Sequence, residues 1–268
     1  MTSAITRRPG RVAAQLGPVP LGIIGVLIFL VCAELLVRSG VLSTRSVPAV
    51  TDVLVYLARE SAGGAFWVSL GHTASQWAAG MLLTMLIAIP VGLAVGSSEY
   101  VWRAFRPVIE FFRTVPGNVL IPLAILIWGL SLNSAVFLIV FGCSWSLIIQ
   151  TMYGARDVQS GARDTARAFR LNAHQRVRYV LVPSALPHIA TGLRIASATA
   201  LIIAISAEIL IGIEGIGRDI ALARDAGDIT QMYALILASG LLGIAIHVAF
   251  AAAERRVLRW HESQRGER

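Results

Sequence analysis

Arginines and apolar side chains recur at helical spacing in residues 163–187, which read RDTARAFRLNAHQRVRYVLVPSALP. The cations that share one side of the expected helix are Arg163, Arg167 and Arg170. The apolar positions on a different side are Ala162, Ala166, Phe169, Ala173 and Val177. Such a helix can bury its apolar side in a groove while its guanidinium groups bind carboxylates around the rim. The chemistry that this pattern favours is docking to another protein.

Two alternatives to docking stay open from the residues alone. An amphipathic basic helix can lie on anionic lipid headgroups. A solvated loop can also be kept basic only because positive charge fixes the orientation of neighbouring membrane spans.

Acidic residues inside apolar runs are the second set of candidates, because a charge in hydrocarbon costs at least about 2.5 to 3.5 kcal/mol. Glu34 lies late in the first apolar run, where contact with the membrane interface explains it. Glu208 lies late in the fifth run, and SAEILIGIEGIG joins it to Glu214 and a glycine-rich turn. We predict Glu208 and Glu214 as pathway or gate residues at the outer side of the membrane.

The sequence carries no recognisable catalytic or nucleotide-binding motif. Its five histidines are scattered, and neither HExxH nor a nucleophile elbow occurs. No GxxxxGK[ST] phosphate loop is present, and the spacing of Gly212, Gly215 and Gly217 does not replace it. The two cysteines are isolated in apolar runs. We therefore expect a chain that is not an enzyme, binds no cofactor or metal, and takes any energy from elsewhere.

The composition predicts an all-α polytopic membrane protein. Of 268 residues, 56% are hydrophobic and only 14% are charged, which is far too apolar for a soluble domain. The formal charge of +8 comes with 23 cationic side chains, all of them arginine. In a membrane protein this excess reflects the positive charge of cytoplasmic loops rather than a nucleic-acid partner.

Runs of about 20 apolar residues predict about six transmembrane helices, because a helix needs that length to cross the hydrocarbon core. They lie near residues 18–37, 69–96, 108–131, 134–153, 186–212 and 231–253. A cytoplasmic N-terminus puts the arginine-rich segments inside: residues 7–11, 103–113, 156–178 and 255–268. The other side then holds Arg38, Arg45, Arg59, Arg218 and Arg224. This asymmetry predicts that both termini are cytoplasmic.

The third run is interrupted at Pro116 and Gly117, close to Arg113. A broken helix is tolerated in a membrane only where protein or a water-filled cavity covers its free backbone groups, which favours a position near a pathway. Alternatively, Pro116 marks the place where a cytoplasmic loop ends and the helix begins. We keep Arg113 and Pro116 as pathway candidates. In residues 39–67, VPAVTDVLVYLARE predicts a short amphipathic helix along the outer interface.

The cytoplasmic stretch DTARAFRLN, followed by LVPSALPHIATGLRIA, resembles the EAA loop of ABC importer permeases. Asp164 stands at the acidic position of that pattern, Ala166 at the alanine, and Pro183 and Pro187 at the prolines that lead into the next span. RTVPGNVLIPLAILIWGL and AEILIGIEGIG extend the resemblance, which covers roughly residues 69–253 and is closest to permeases of the nitrate, sulfonate and taurine type.

The resemblance implies a type I ABC importer permease core with a cytoplasmic coupling helix that inserts into a separate ATPase subunit. The residues expected to carry this coupling are Arg163, Asp164, Ala166, Arg167, Phe169, Arg170 and Leu171. Arg170 departs from the family, which has a glycine there for a tight turn after the first short helix. Arginine can take that position only with a backbone penalty or a shifted turn.

The resemblance also implies the partners and the organisation of the chain. We expect two ABC ATPase subunits that use ATP and Mg, a second permease chain in a homodimer or similar pair, and an extracytoplasmic solute-binding protein. Residues 1–68 would form the N-terminal tail, first span and outer segment, residues 69–253 the permease domain, and residues 254–268 a cytoplasmic tail. The N-terminal arginines resemble a signal peptide, but the first run is predicted to stay as an uncleaved span.

The expected function is ATP-driven import of a small solute across a bacterial inner membrane. The favoured solute is an anion such as a sulfonate, taurine or nitrate, and the runner-up is a vitamin precursor such as a pyrimidine. From different classes, a self-contained secondary transporter would work without ATPase subunits, and a membrane scaffold would move no solute.

Overall fold

The computed structural model describes residues 18–43 and 46–257. These residues form helices joined by turns, with no strand among them, so the predicted all-α class is confirmed. The predicted arginine groups at residues 7–11 and 259–268, together with Arg45, lie outside the described residues.

Five of the described helices are long and apolar enough to cross a membrane. They are α1 (Pro18–Arg38), α3 (Gly64–Gly96), α6 (Leu132–Arg156), α9 (Val182–Ile211) and α11 (Ile229–Val257). The shorter helices are α2 (Val50–Glu60), α4 (Glu99–Phe112), α5 (Ile121–Trp128), α7 (Ser160–Ala168), α8 (Ala173–Arg176) and α10 (Ile216–Ala226). The amphipathic helix predicted after the first span is confirmed as α2.

The third predicted span, residues 108–131, is interrupted near Pro116 and Gly117, as the sequence indicated, and its first residues belong to the separate helix α4. α4 ends at Phe112, and the chain re-enters helical structure through a 3₁₀ turn at Gly117–Leu120 that leads into α5. The two halves are bent by 76°. Pro116 caps the 3₁₀ turn, and proline lacks the N–H that would continue a helix from α4. Helical structure therefore resumes directly after Pro116, first as the 3₁₀ turn and then as α5, and the separate amphipathic helix α4 precedes it.

α3, α6 and α9 form the centre of the bundle, and small residues let them approach closely. A Cβ added at Gly92 would lie 2.6 Å from Thr151 Cβ, and one added at Gly96 would lie 2.7 Å from Ala155 Cβ. Such contacts replace hydrophobic burial as the source of helix association in lipid. Gly92 and Gly96 therefore serve the close packing of α3 on α6.

α1 lies at the edge of the bundle and is held mainly through its last turn. Glu34 accepts hydrogen bonds from Arg38 Nε at 2.6 Å and from the Thr51 hydroxyl at 2.8 Å. Glu34 therefore connects the end of α1 to the start of α2. It lies close to the end of the span, as the sequence indicated.

Candidate functional site

Polar side chains gather at two opposite ends of α3. The first group, called the glutamate cluster, consists of Thr73, Gln76, Glu208 and the turn 214–217. The second, called the arginine segment, consists of residues 156–181 and lies beside Gly96, the last residue of α3. Thr73 and Gln76 lie in the first half of the same helix.

Glu208 is the centre of the glutamate cluster and is 0% exposed. Its Oε2 accepts the backbone N–H of Gly217 at 2.8 Å and the hydroxyl of Thr73 at 3.0 Å. The same hydroxyl oxygen accepts the N–H of Ile216 at 3.0 Å. Because these two amides belong to the first turn of α10, the carboxylate and Thr73 satisfy donors that a helix N-terminus leaves free.

The turn of the glutamate cluster requires glycine. Gly215 has φ of 152°, and a Cβ built on it would lie 2.2 Å from the carboxyl carbon of Glu208. A side chain at Gly215 would therefore displace the carboxylate, quite apart from the backbone strain. On the other side of the turn, Gln76 Nε2 donates to the carbonyl of Glu214 at 2.7 Å. The cluster ties α3, α9 and α10 together.

The two predicted gate residues lie in different surroundings. Glu208 is buried among donors of its own chain, whereas the side chain of Glu214 is 68% exposed, with His72 Nε2 at 3.4 Å from its Oε2. Of the two, only Glu214 is exposed. Glu208 holds the turn that follows Glu214, through its hydrogen bond with the Gly217 amide.

The arginine segment is not the single helix that the periodicity predicted. α7 ends at Ala168, and Arg170 adopts φ of 52°. Leu171 N–H donates to the Ala166 carbonyl at 3.0 Å and Arg170 N–H to the Arg167 carbonyl at 3.0 Å, which is the Schellman pattern that normally ends in glycine. The family's turn is therefore kept, and Arg170 accepts a left-handed backbone that costs about 1 to 2 kcal/mol for a residue with a Cβ.

The exposed side chains of this segment differ from those expected. Phe169 is 76% exposed, and Leu171 is half-buried. Ala166, however, is 2% exposed and packs against the chain itself. The expectation that Ala166 enters a partner's groove is therefore corrected, because only a residue on the outer face can do so. The guanidinium of Arg167 lies 3.7 Å from Asp164, and both are exposed.

A second short helix connects the turn to α9. Asn172 caps α8, because its Oδ1 accepts the Gln175 N–H at 2.8 Å while the Gln175 side chain accepts the Asn172 N–H at 3.0 Å. A π-helical turn follows at Val177–Leu181. Pro183 has no backbone N–H to donate to the carbonyl four residues earlier. The π-helical turn, which is wider than an α-helical turn, lies directly before this missing hydrogen bond. Pro187 lies inside α9, so both predicted prolines lie where α9 begins.

Arg113 and Pro116 lie apart from the glutamate cluster. The Arg113 guanidinium is 3.6 Å from Glu110 at the end of α4. The neighbouring Gly117 faces α6 and α9, since a Cβ there would lie 3.3 Å from the Leu138 carbonyl and 3.5 Å from Ile203. The backbone at this break therefore packs against the central helices α6 and α9.

Several polar contacts were not predicted from the sequence. Thr73 and Gln76 are buried polar residues in an apolar helix, and polar side chains within a span are a signal that could have identified them. Arg156 pairs with Glu99, and Arg194 in α9 pairs with Glu254 in α11. Their partners lie 57 and 60 positions away, so no local pattern connects them.

Comparison with known proteins places the chain among transport proteins. Residues 88–259 match the family described as binding-protein-dependent transport system inner membrane component. The nitrate import permease protein NrtB of Synechocystis sp. is 30% identical over 68% of this chain and 66% of its own length. The bicarbonate transport system permease protein CmpB of the same organism is 27% identical over 96% of this chain and 99% of its own.

A further relative and a solved structure agree. The putative aliphatic sulfonates transport permease protein SsuC of Bacillus subtilis is 27% identical over 85% of this chain and 82% of its own length. An inward-facing structure of the MetNI methionine ABC transporter matches with a TM-score of 0.65 at 20% identity, over 72% of this chain and 96% of that one. At 20% identity, this match supports the fold alone.

Proposed function

The chain belongs to the binding-protein-dependent transport system inner membrane components, and we propose that the solute it carries is a small anion such as nitrate, bicarbonate or an alkanesulfonate. The family resemblance predicted from the sequence is confirmed. The chain is a multi-pass permease subunit of an ABC importer and not an enzyme, because hydrolysis of ATP belongs to a separate subunit.

Support for an anion comes from the named relatives. Nitrate, bicarbonate and aliphatic sulfonates are the solutes in their names, and all three are small oxyanions. The bicarbonate relative aligns over nearly the whole of both chains. None of these three names points to a pyrimidine.

The family implies an ATPase subunit and an extracytoplasmic binding protein. We extend this to two ATPase subunits that bind ATP and Mg, beneath two copies of this chain. The orientation that fits is cytoplasmic for both termini. The last turn of α11 carries Arg255 and Arg256, and the neighbouring Glu254 pairs with Arg194 in the first half of α9, the helix that follows the arginine segment. The glutamate cluster then faces the binding protein.

We assign coupling to the ATPase to the outer face of the arginine segment, meaning the face that points away from the helix bundle. Phe169 projects with 76% of its surface exposed, and an exposed aromatic ring at the end of a helix is the kind of anchor that fills a groove in a partner. Asp164, Arg170 and Leu171 lie near this ring in the sequence and are at least partly exposed. Arg163 and Arg167 are also exposed, and they line the space between α7 and the bundle. Ala166 positions α7 from behind.

The test is reconstitution of the permease with candidate ATPase and binding-protein subunits from the same organism. Proteoliposomes are loaded with ATP and Mg, and uptake of nitrate, bicarbonate, taurine and a pyrimidine is measured in parallel. We expect ATP-dependent uptake of one anion, absent when the ATPase carries a substitution that blocks hydrolysis.

Three results would count against this function. Uptake without the ATPase would indicate a secondary transporter. ATP-dependent uptake of the pyrimidine alone would retain the importer and overturn the anion. Failure of the tagged permease to copurify with any ATPase in mild detergent would remove the importer assembly itself.

A further inference from the structure

A cavity lies behind the arginine segment, on the side of α7 that faces the bundle. Its volume is about 580 Å³. The ends of α3 and α6 form one wall, and α7, α8 and the π turn form the other. This volume is within the range of small-molecule sites. The cavity is distinct from the outer face of α7, where Phe169 projects.

The charge around this cavity is strongly positive. Four arginines line it, with one acid: Arg156, Arg163, Arg167, Arg176 and Glu99. Glu99 is already used, because it pairs with Arg156 and accepts from Arg103 Nε at 2.9 Å. Arg156 also lies over the Trp102 ring at 5.6 Å. Arg167 lies 3.7 Å from Asp164, so among the described residues Arg163 and Arg176 are the two cations of the cavity without a carboxylate partner.

Two guanidinium groups are available for an added anion. Arg163 donates to the carbonyl of Arg156 at 2.9 Å, which uses one of its five N–H groups and none of its charge. Arg176 has no hydrogen bond or ion pair from its side chain among the described residues. A guanidinium group can donate two parallel N–H hydrogen bonds to two oxygens of one phosphate, because its planar geometry matches the spacing of those oxygens.

Apart from Ser97, the rest of the lining is apolar. Ala155, Val158, Val177, Val180 and Leu181 contribute it, on the side where the arginine segment meets the ends of the long helices. A cavity with cations on one side and aliphatic groups on the other suits a phosphate group attached to, or lying beside, an apolar chain. Basic pockets between membrane helices at the cytoplasmic face have this character.

We propose that this cavity binds a phosphate group, which bridges Arg163 of α7 and Arg176 of α8 and so braces the arginine segment against the bundle. Two sources share this chemistry, the headgroup of an anionic phospholipid and free phosphate of the cytoplasm. The site is independent of the transported solute, and it does not rest on the identity of that solute.

The experiment measures binding in the assembled permease–ATPase complex, with ADP and Mg saturating the ATPase so that its own phosphate sites are occupied. One arm adds inorganic phosphate against chloride at equal ionic strength. The other compares nanodiscs of phosphatidylglycerol with nanodiscs of phosphatidylcholine. We expect the thermal midpoint to rise by about 2 to 4 °C in at least one arm, as a bound ligand requires.

The variant that tests the site is Arg176→Gln, and its matched control is Arg178→Gln. Both remove one cation from neighbouring turns, but the Arg178 guanidinium lies over the Tyr179 ring at 5.8 Å and does not line the cavity. We expect Arg176→Gln to weaken the apparent affinity about tenfold or more, as loss of a charged hydrogen bond does, and Arg178→Gln to leave it unchanged.

Each outcome decides the proposal. A response to phosphatidylglycerol alone assigns the site to lipid, and a response to inorganic phosphate assigns it to a free ion. No shift in either arm, or an equal shift in wild type and Arg176→Gln, overturns the site. Because uptake is not the readout, that failure would leave the anion importer untouched.

Discussion

The glutamate cluster and the arginine segment differ in whether their charged groups have partners within the chain. In the glutamate cluster, one buried carboxylate accepts hydrogen bonds from the same chain. In the arginine segment, exposed guanidinium groups outnumber the carboxylates near them. Glu208 accepts from Gly217 and Thr73 and is fully buried. At the other end of α3, the side chains of Arg170 and Arg176 have no hydrogen bond or ion pair among the described residues.

The difference separates two kinds of functional surface. A polar group whose partners are all in the chain is part of the structure, and its removal leaves buried donors unpaired. Charges that lack partners in the chain are matched by solvent, lipid or another subunit. Substitutions in the glutamate cluster should therefore lower stability, and substitutions on the outer face of the arginine segment should lower activity at unchanged stability.

Glu208→Ala should have the largest effect of those considered. It removes the acceptor of the Gly217 amide and of the Thr73 hydroxyl in a buried site, and we expect a loss of about 3 kcal/mol in the free energy of unfolding. The measurement is the thermal midpoint of the purified complex, together with its yield in the membrane.

Glu208→Gln is the matched control, because it keeps the size and one acceptor oxygen. Oε1 of Glu208 has no hydrogen-bond partner among the described residues, so an amide nitrogen can stand there while the oxygen still accepts from Gly217. A midpoint close to wild type for Glu208→Gln would assign the effect to hydrogen bonding. Wild-type stability of Glu208→Ala would remove the structural role of the cluster.

Phe169→Asp should have the next largest effect, on activity only. It replaces an exposed aromatic ring by a charge, and loss of a central aromatic anchor costs about 2 kcal/mol or more in a complex. We expect solute uptake and the ATPase activity stimulated by the binding protein to fall at least about tenfold. Stability should stay within about 0.5 kcal/mol, as for most surface substitutions.

Tyr100→Asp controls for a new negative charge at an exposed aromatic position. Tyr100 is 87% exposed on α4 and lies outside the arginine segment. Equal losses of uptake in both variants would mean that Phe169 has no special place in the contact. Copurification of the ATPase with each variant shows whether the loss is one of binding.

Patterns in the sequence were sufficient for the membrane class, for α2 and for the position of the arginine segment. Each of these depends on local hydrophobicity, which length and periodicity report directly. The sequence pattern did not predict that the helix ends before Arg170, because apolar positions continue at helical spacing from Ala166 to Ala173. The resemblance to a family with a glycine there gave the only warning.

The surroundings of Glu208 lay beyond any local pattern. Its partner Thr73 is 135 positions away, so the sequence could identify an acid late in a span but not whether it faced a pathway or a buried donor. The same holds for the correction at Ala166. Which face of a short helix packs on its own chain depends on tertiary contacts that spacing alone does not fix.

Arg170→Gly should have the smallest effect and tests the arginine segment from within. Glycine adopts φ of 52° freely, but it also loses more backbone entropy on folding. These terms oppose each other, and we expect a net gain of about 0.5 to 1 kcal/mol for the turn. The amide of Leu171, which closes the turn onto the Ala166 carbonyl, should exchange about two to five times more slowly.

Arg170→Ala separates the turn from the charge, since it removes the guanidinium and keeps the Cβ. If backbone strain governs the turn, Arg170→Ala exchanges like wild type, and only glycine slows exchange. Slower exchange in both variants would mean that the cation, repelled by its arginine neighbours, was the destabilising group. In either case a fall in ATPase coupling shared by both variants would assign Arg170 to the partner, and would explain why a strained arginine stands where glycine folds more easily.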